Sequence, residues 1–405
     1  MYKRIILKKG KEESLKRFHP WVFSGAIKSV EDGIADGDTV NVVDADGNFL
    51  AVGHFQEGSI SVRVLSFTEQ PIDDDFWKRR ILSAYQARVA LGLACSLDSA
   101  AVDDSSMADN GKAFRLVHGE GDGMPGLIID VYGETAVMQA HSIGMHVERK
   151  NIAKALVEQL HGRVKNVYYK SETTLPFMDR DEMNGFIYGG SQNNIAVENN
   201  LKFYVDWIKG QKTGFFIDQR DNRQLLETLS YKRRVLNMFC YTGGFSVYAL
   251  RGGAECVHSV DSSAKAIELT KENVALNFSS DNRHQAYCED AFRYLDHIEK
   301  GAYDLVVLDP PAFAKHRGAL HNALKGYIRL NQKGFEKIGV GGILFTFSCS
   351  QVVTKENFRN AVFTAAALAN RKVRVLYQLH QPADHPINIF HPEGEYLKGL
   401  VLYVE

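Results

Sequence analysis

Five apolar runs in the carboxyl-terminal half of the chain end in residues that could do chemistry: Tyr241-Thr-Gly-Gly244, Asp261, Glu289-Asp290, Asp309-Pro-Pro-Ala-Phe313 and Thr346-Phe-Ser-Cys-Ser350. The first lies in Leu236-Asn-Met-Phe-Cys-Tyr-Thr-Gly-Gly-Phe245, where a strand turns through glycine and restarts as a helix. Glycine allows unusual dihedrals and a close backbone approach, and the new helix starts with unpartnered amides. Asp261 closes the next run, where a carboxylate can accept both hydroxyls of a ribose. Asp290 closes a third and can take the exocyclic amine of an adenine. The turn lacks the Gly-x-Gly-x-x-Gly spacing that cradles a pyrophosphate. A cofactor with a ribose and no pyrophosphate therefore fits better, and S-adenosylmethionine (SAM) is the candidate. The cofactor set is Phe239, Tyr241, Gly243, Gly244, Asp261, Asp290, Asp309 and Gln219. A metal site is the rival reading of acids on three strand ends, but no histidine stands with them at ligand spacing.

Asp309-Pro-Pro-Ala-Phe313 is a stiff turn, because proline fixes φ and restricts the residue before it. It can hold Asp309 and the Phe313 ring beside a transferable methyl group, with a flat base stacked on the ring. Enzymes that methylate an exocyclic amine use a similar turn, which gives one rival reaction. Cys349, at the end of the fifth run, suggests another. Cytosine C5 is too weak a nucleophile to take a methyl group directly. A thiolate added at C6 makes C5 reactive, and loss of the C5 proton then expels the thiolate. Cys349 is the candidate nucleophile and Asp309 its catalytic neighbour. Phe313, Arg220 and Lys315 are the candidate substrate contacts.

These groups need a parallel sheet to align them. From residue 234 onward strands alternate with helices, which implies a doubly wound α/β fold with ligands at the carboxyl ends of the strands. The strands are expected at residues 235–237, 256–260, 284–288, 305–308 and 343–347, with a final antiparallel pair at 371–380 and 396–404. A helix over 264–276 follows a Ser262-Ser263 cap. Ahead of this domain, residues 71–208 read as a small α+β domain. It has a helix over 73–93, two strands around a glycine turn in 114–132, a strand over 135–141, a helix over 144–160, a strand over 164–170 and a hairpin about Asn199-Asn200. A mobile loop is expected over 95–112. Residues 1–70 read as a β-rich module with an Asp46-Gly47 hairpin and Trp21 and Phe23 in its core. Its basic residues, among them Lys3, Arg4, Lys8, Lys9 and Lys11, suit either phosphate contact or a solvated face.

Over 405 residues the net charge is −1, so nucleic-acid contact must come from local patches. None of the five cysteines forms a Cys-x-x-Cys pair, so neither a disulfide framework nor a zinc site is expected. Cys240, Cys256 and Cys288 read as packing residues. With no signal peptide or membrane-length apolar run, a cytoplasmic enzyme with no membrane partner is expected.

His19-Pro-Trp-Val-Phe-Ser-Gly25 resembles the start of a PUA domain, an RNA-binding pseudobarrel. Phe215-Phe-Ile-Asp-Gln-Arg220, the glycine turn, Asp309-Pro-Pro-Ala-Phe313, Phe345-Thr-Phe-Ser-Cys-Ser350, Ala383-Asp-His-Pro386 and Gly119-Glu-Gly-Asp-Gly-Met-Pro-Gly126 complete the pattern. Together they resemble, over essentially the full chain, the bacterial 23S ribosomal RNA cytosine-C5 methyltransferases that carry an N-terminal PUA domain. The resemblance implies three domains: a PUA domain over 1–70, a central α+β domain over 71–208 and a Rossmann-like methyltransferase domain over 209–405. It implies SAM bound around Tyr241–Gly244, Asp261 and Asp290, Cys349 as nucleophile, and ribosomal RNA or an assembly intermediate as partner. A homodimer is compatible with it. The family often has lysine after the two prolines, where this chain has Ala312, with Lys315 three residues on. Two alternatives stay open. One is a guanine-N7 or exocyclic-amine RNA methyltransferase without a covalent step, for which a related guanine-N7 enzyme lacks the fifth-strand cysteine. The other is a non-catalytic RNA-binding assembly factor.

Overall fold

A computed structural model describes residues 2–97, 112–160, 162–175, 183–191, 193–279, 281–314 and 316–405. Most of the loop expected over 95–112, and Lys315, lie outside the described residues. Two compact units emerge. One comprises 1–197, 205–217 and 383–394, and the other 198–204, 218–382 and 395–405. The expected segment 1–70 and nearly all of 71–208 fall in the first unit.

In the first unit, a six-stranded sheet holds Lys3–Leu7 between Thr39–Val43 and Ile27–Val30, parallel to the first and antiparallel to the second. The Asp46-Gly47 hairpin joins Thr39–Val43 to Phe49–Phe55. Alternating residues of these strands, such as Ile5, Leu7, Val40, Val42, Val62 and Val64, fill the module's core. Trp21 and Phe23 do not belong to it. Trp21 is half-buried and donates from Nε1 to Glu120 Oε1 (2.9 Å), and Phe23 is exposed. The expectation of two core aromatics is corrected: in the register of the short strand Trp21–Phe23 it is Val22 that is buried.

A five-stranded sheet follows, in the order Asn184–Tyr188, Asn166–Lys170, Thr135–Ala140, Leu127–Tyr132, Ala113–His118. The helix Asp74–Ala90 packs on it through Phe76, Trp77, Ile81 and Tyr85, with Asp73 capping its start by accepting from the Phe76 amide. The helix expected over 144–160 is broken into Ile143–Val147 and Arg149–Gln159. At the break, Glu148 accepts from the indole of Trp77 (3.0 Å), a tie that local periodicity does not reveal.

The second unit carries the strand–helix alternation. Its strands are β1 (Arg234–Met238), β2 (Cys256–Asp261), β3 (His284–Cys288), β4 (Leu305–Leu308), β5 (Gly342–Ser348), β6 (Val373–Leu379) and β7 (Lys398–Val404). The sheet order is β3-β2-β1-β4-β5-β7-β6. The first five are parallel, and β7 inserts antiparallel between β5 and β6. Helices α1 (Arg220–Thr228), α2 (Gly244–Arg251), α3 (Ala264–Asn277), α4 (Ala291–His297), α5 (Leu320–Lys337) and α6 (Lys355–Leu368) connect or flank them. Because β1, β4 and β5 are covered on both faces, they are largely apolar in sequence and do not alternate with exposed polar residues. Their carboxyl ends lie side by side, which sets the site. Cys240 is buried as expected, whereas Cys256 is partly exposed and Cys288, at the end of the edge strand β3, is exposed. An edge strand has only one neighbour to cover it, and Cys256 stands at the open start of β2, which corrects the core reading of both.

Candidate functional site

The turn after β1 is held by its neighbours. Phe239 (φ 58°) and Tyr241 (φ 48°) sit in the left-handed region beside Gly243 (φ 75°). Left-handed non-glycine residues cluster where surrounding structure over-determines them. Here Asp261 Oδ2 accepts from the Tyr241 amide (3.1 Å), Thr270 Oγ1 donates to the Tyr241 carbonyl (2.9 Å), and Asn273 Nδ2 donates to the Thr242 carbonyl (2.9 Å). A Cβ on Gly243 would come within 2.7 Å of Thr270 Cγ2. The sequence pointed to the glycines and missed Thr270 and Asn273, which α3 brings in.

Asp261 spends its other oxygen on the Ser263 amide (2.9 Å), yet each carboxylate oxygen keeps a lone pair for a hydroxyl. Asp290 is exposed and caps α4, Oδ1 accepting from the Phe292 and Arg293 amides. Helix α2 starts at Gly243 with no side-chain cap, so its first amides remain open to an anionic group. Carboxylates at the ends of β2 and β3, beside an uncapped helix start after β1, fit a nucleoside carrying a carboxylate, as SAM does.

The second half of the site lies across β4 and β5. Gln219 Nε2 donates to Asp309 Oδ2 (3.0 Å), and Gln219 Oε1 accepts from Asn222 (2.6 Å), which orients the amide. Phe313 packs on α5, its ring centroid 4.6 Å from that of Tyr327. Tyr327 is buried, and its hydroxyl meets no hydrogen-bond partner although the Ser348 hydroxyl is near. Burial pushes this phenol up to about 12, with Cys349 and Asp309 acting in the same direction. Cys349 follows β5 directly and is partly exposed. Ser350 next to it is anchored by Oγ donating to the Ala314 carbonyl (2.5 Å).

Lys398 opens β7 in register opposite Ser348, and its Nζ donates to the Ser350 carbonyl (2.6 Å). Burial pulls its ammonium down to about 8, against an opposing pull from Cys349. Reading the sequence did not single out Lys398 or Tyr327. Neither belongs to a motif, and antiparallel register alone brings Lys398 beside the cysteine. Arg220 is buried, with Nε 3.9 Å from Asp221. The structure thus pairs Gln219 with Asp309 and Phe313 with Tyr327, and puts Cys349 directly after β5 and Tyr241, Gly243, Gly244 and Asp261 at the turn after β1. Behind the turn, Arg223 forms a buried two-pronged pair with Glu198 (2.8 and 2.7 Å) and packs under Gly244.

A sheet of this order with polar strand ends is an α/β scaffold that can hold a nucleoside, and the comparisons supply the class. Residues 182–386 match the S-adenosylmethionine-dependent methyltransferase family and residues 5–67 a PUA-like domain. The chain belongs to this SAM-dependent methyltransferase family, and SAM is the family's cofactor. It is 39% identical over 98% of both chains to ribosomal RNA large subunit methyltransferase I of Aeromonas hydrophila. It is 38% identical over 99% of both chains to the protein of the same name from Shewanella denitrificans. The crystal structure of SMU.776 complexed with SAH matches with a TM-score of 0.82 at 22% identity, covering 99% of this chain and 100% of that one, a likeness of fold. Among the described residues, no helix is long and apolar enough to cross a membrane.

Proposed function

We propose that the protein methylates C5 of a cytosine in large-subunit ribosomal RNA, with Cys349 as the nucleophile. The relatives' name supports the substrate class, and the PUA-like module, with the central α+β segment, supplies the grip on RNA. One observation carries the reaction: Cys349 stands partly exposed directly after β5, and the carbonyl of the next residue accepts from the buried Lys398. SAM, when bound, supplies an electrophilic methyl group. The chain's residues do the rest. The Cys349 thiolate forms the S–C6 bond, which makes C5 a nucleophilic carbon. After C5 has taken the methyl group, loss of its proton and cleavage of S–C6 restore the thiolate. Asp309, oriented by Gln219, hydrogen-bonds the edge of the extruded base, and Phe313 offers its ring as an apolar wall. Tyr241, Gly243, Gly244, Asp261 and Asp290 hold the cofactor.

Cys349→Ala tests this. It should bind SAM as the wild type does and yield no 5-methylcytidine above background by mass analysis of the modified nucleosides. Full methylation by the variant, or a methylated purine as product, would sink the covalent reading and favour the amine or guanine-N7 alternative.

A further inference from the structure

His19 and His391 lie at opposite ends of the chain but meet in the first unit. With Glu393 they form a group whose ligand atoms all lie within 4.8 Å of one another. The His19 and His391 Nε2 atoms are each 3.8 Å from Glu393 Oε2. His391 is 2% exposed, and neither of its ring nitrogens has a hydrogen-bond partner. A buried imidazole with both nitrogens unmatched is costly, so one expects its lone pair to have a use. Its ring lies edge-on to Trp21, with centroids 4.2 Å apart, which fixes its direction.

His19 reaches the same carboxylate. Its Nδ1 lies 3.3 Å from the Trp21 carbonyl. The same Nδ1 accepts from the Trp21 amide (3.2 Å), so the proton of the neutral ring sits on Nε2, facing Glu393; an ion at Nε2 would shift that proton to Nδ1, where the Trp21 carbonyl can accept it. Only that second tautomer has the outer-shell arrangement that orients metal-bound histidines. Cysteine spacing pointed away from a thiolate zinc site, and this group needs no thiolate. Two neutral imidazoles and a carboxylate, with room for water on the exposed side of Glu393 (side chain 52% exposed), suit a borderline divalent ion such as zinc. Glu120, which accepts from Trp21, adds a second carboxylate nearby and disfavours an anion.

We propose that His19 Nε2, His391 Nε2 and Glu393 form a divalent transition-metal site, best suited to zinc, that ties the 383–394 segment to the amino-terminal module. This segment is already anchored by Asp384, whose Oδ2 accepts from the Arg115 amide (2.9 Å) and whose carbonyl accepts from Arg88 (2.8 Å). The ion would add a third tie close to the His19-Pro-Trp motif.

The test uses tag-free, full-length protein stripped with a chelator. Calorimetric titration with zinc should show one ion bound per chain and a rise in melting temperature. Cobalt(II) should give the visible absorption of a four- or five-coordinate ion with no thiolate charge-transfer band. His19→Ala and Glu393→Gln, at the solvent edge of the group, should each weaken zinc on the order of a hundredfold. His297→Ala, a surface control, should change nothing. His391→Ala should abolish the site, and if it fails to fold, the two edge variants decide. Absence of stoichiometric binding at micromolar zinc, a thiolate band with cobalt, or binding undiminished in both edge variants would overturn the proposal.

Discussion

Replacing Lys398 by methionine perturbs a single buried charge at the proposed nucleophile, and the structure sets the size of the effect. The side chain is 5% exposed, donates to the Ser350 carbonyl and begins β7 opposite Ser348. Burial lowers its ionisation from 10.5 to about 8. That corresponds to about 3 kcal/mol of lost preference for the charged form. The folded lysine sheds its proton near pH 8, while the unfolded one keeps it until 10.5. Between these values the unfolded state binds more protons, so stability contributed through Lys398 rises with pH. Relative to Lys398→Met, the wild type should therefore gain about 2.5 kcal/mol between pH 7 and pH 10, with other titrating groups cancelling in the difference.

Urea unfolding of both proteins at the two pH values measures this gain. At pH 7 the variant sheds the cost of a buried ammonium but also loses a charge-assisted hydrogen bond worth about 1.5–3 kcal/mol, so the two nearly offset. Methylation responds differently. An ammonium beside a thiolate favours it, so the variant should be about tenfold slower at pH 7 and recover as pH rises. A pH-independent stability difference would refute the burial argument. A rate loss that does not recover at high pH would refute the assignment of Lys398 as the residue that supports the thiolate.

Other predictions follow from the turn and from the pair behind it. Gly243→Ala forces a Cβ into the left-handed region and toward Thr270, so it should destabilise by about 2–4 kcal/mol and weaken SAM binding. Gly25→Ala, where a Cβ meets nothing within 4 Å, should cost less than about 0.5 kcal/mol in the same denaturation assay. Either Arg223→Met or Glu198→Leu alone leaves a buried charge unpaired and should cost about 3–5 kcal/mol. The double variant should cost far less than the sum, and additive losses in chemical denaturation would show that the pair is not coupled.

Much of the second unit was legible in the chain. Parallel strands covered on both faces are largely apolar, and the serine before α3 is a cap that local chemistry predicts, whereas the capping of α4 by Asp290 was not read from the chain. The strand Asn184–Tyr188 was missed because it is an edge strand with no fully buried residue, and so lacks an apolar signature. Trp21 and Phe23 were assigned to the core because aromatic residues usually bury, but strand register decides which residues point inward. The left-handed Phe239 and Tyr241 could not be anticipated, since the contacts that hold them come from α3 and from β2.

By itself, the order of residues determined the strand–turn–helix alternation and the polar groups that close each strand, because both depend on neighbours a few positions away. Only the tertiary structure decided that β4 lies between β1 and β5, that Gln219 reaches Asp309, and that Lys398 comes to Cys349. Those pairings join residues far apart in the chain, and they are selected by burial of the sheet's faces and by register between strands, which no local pattern encodes.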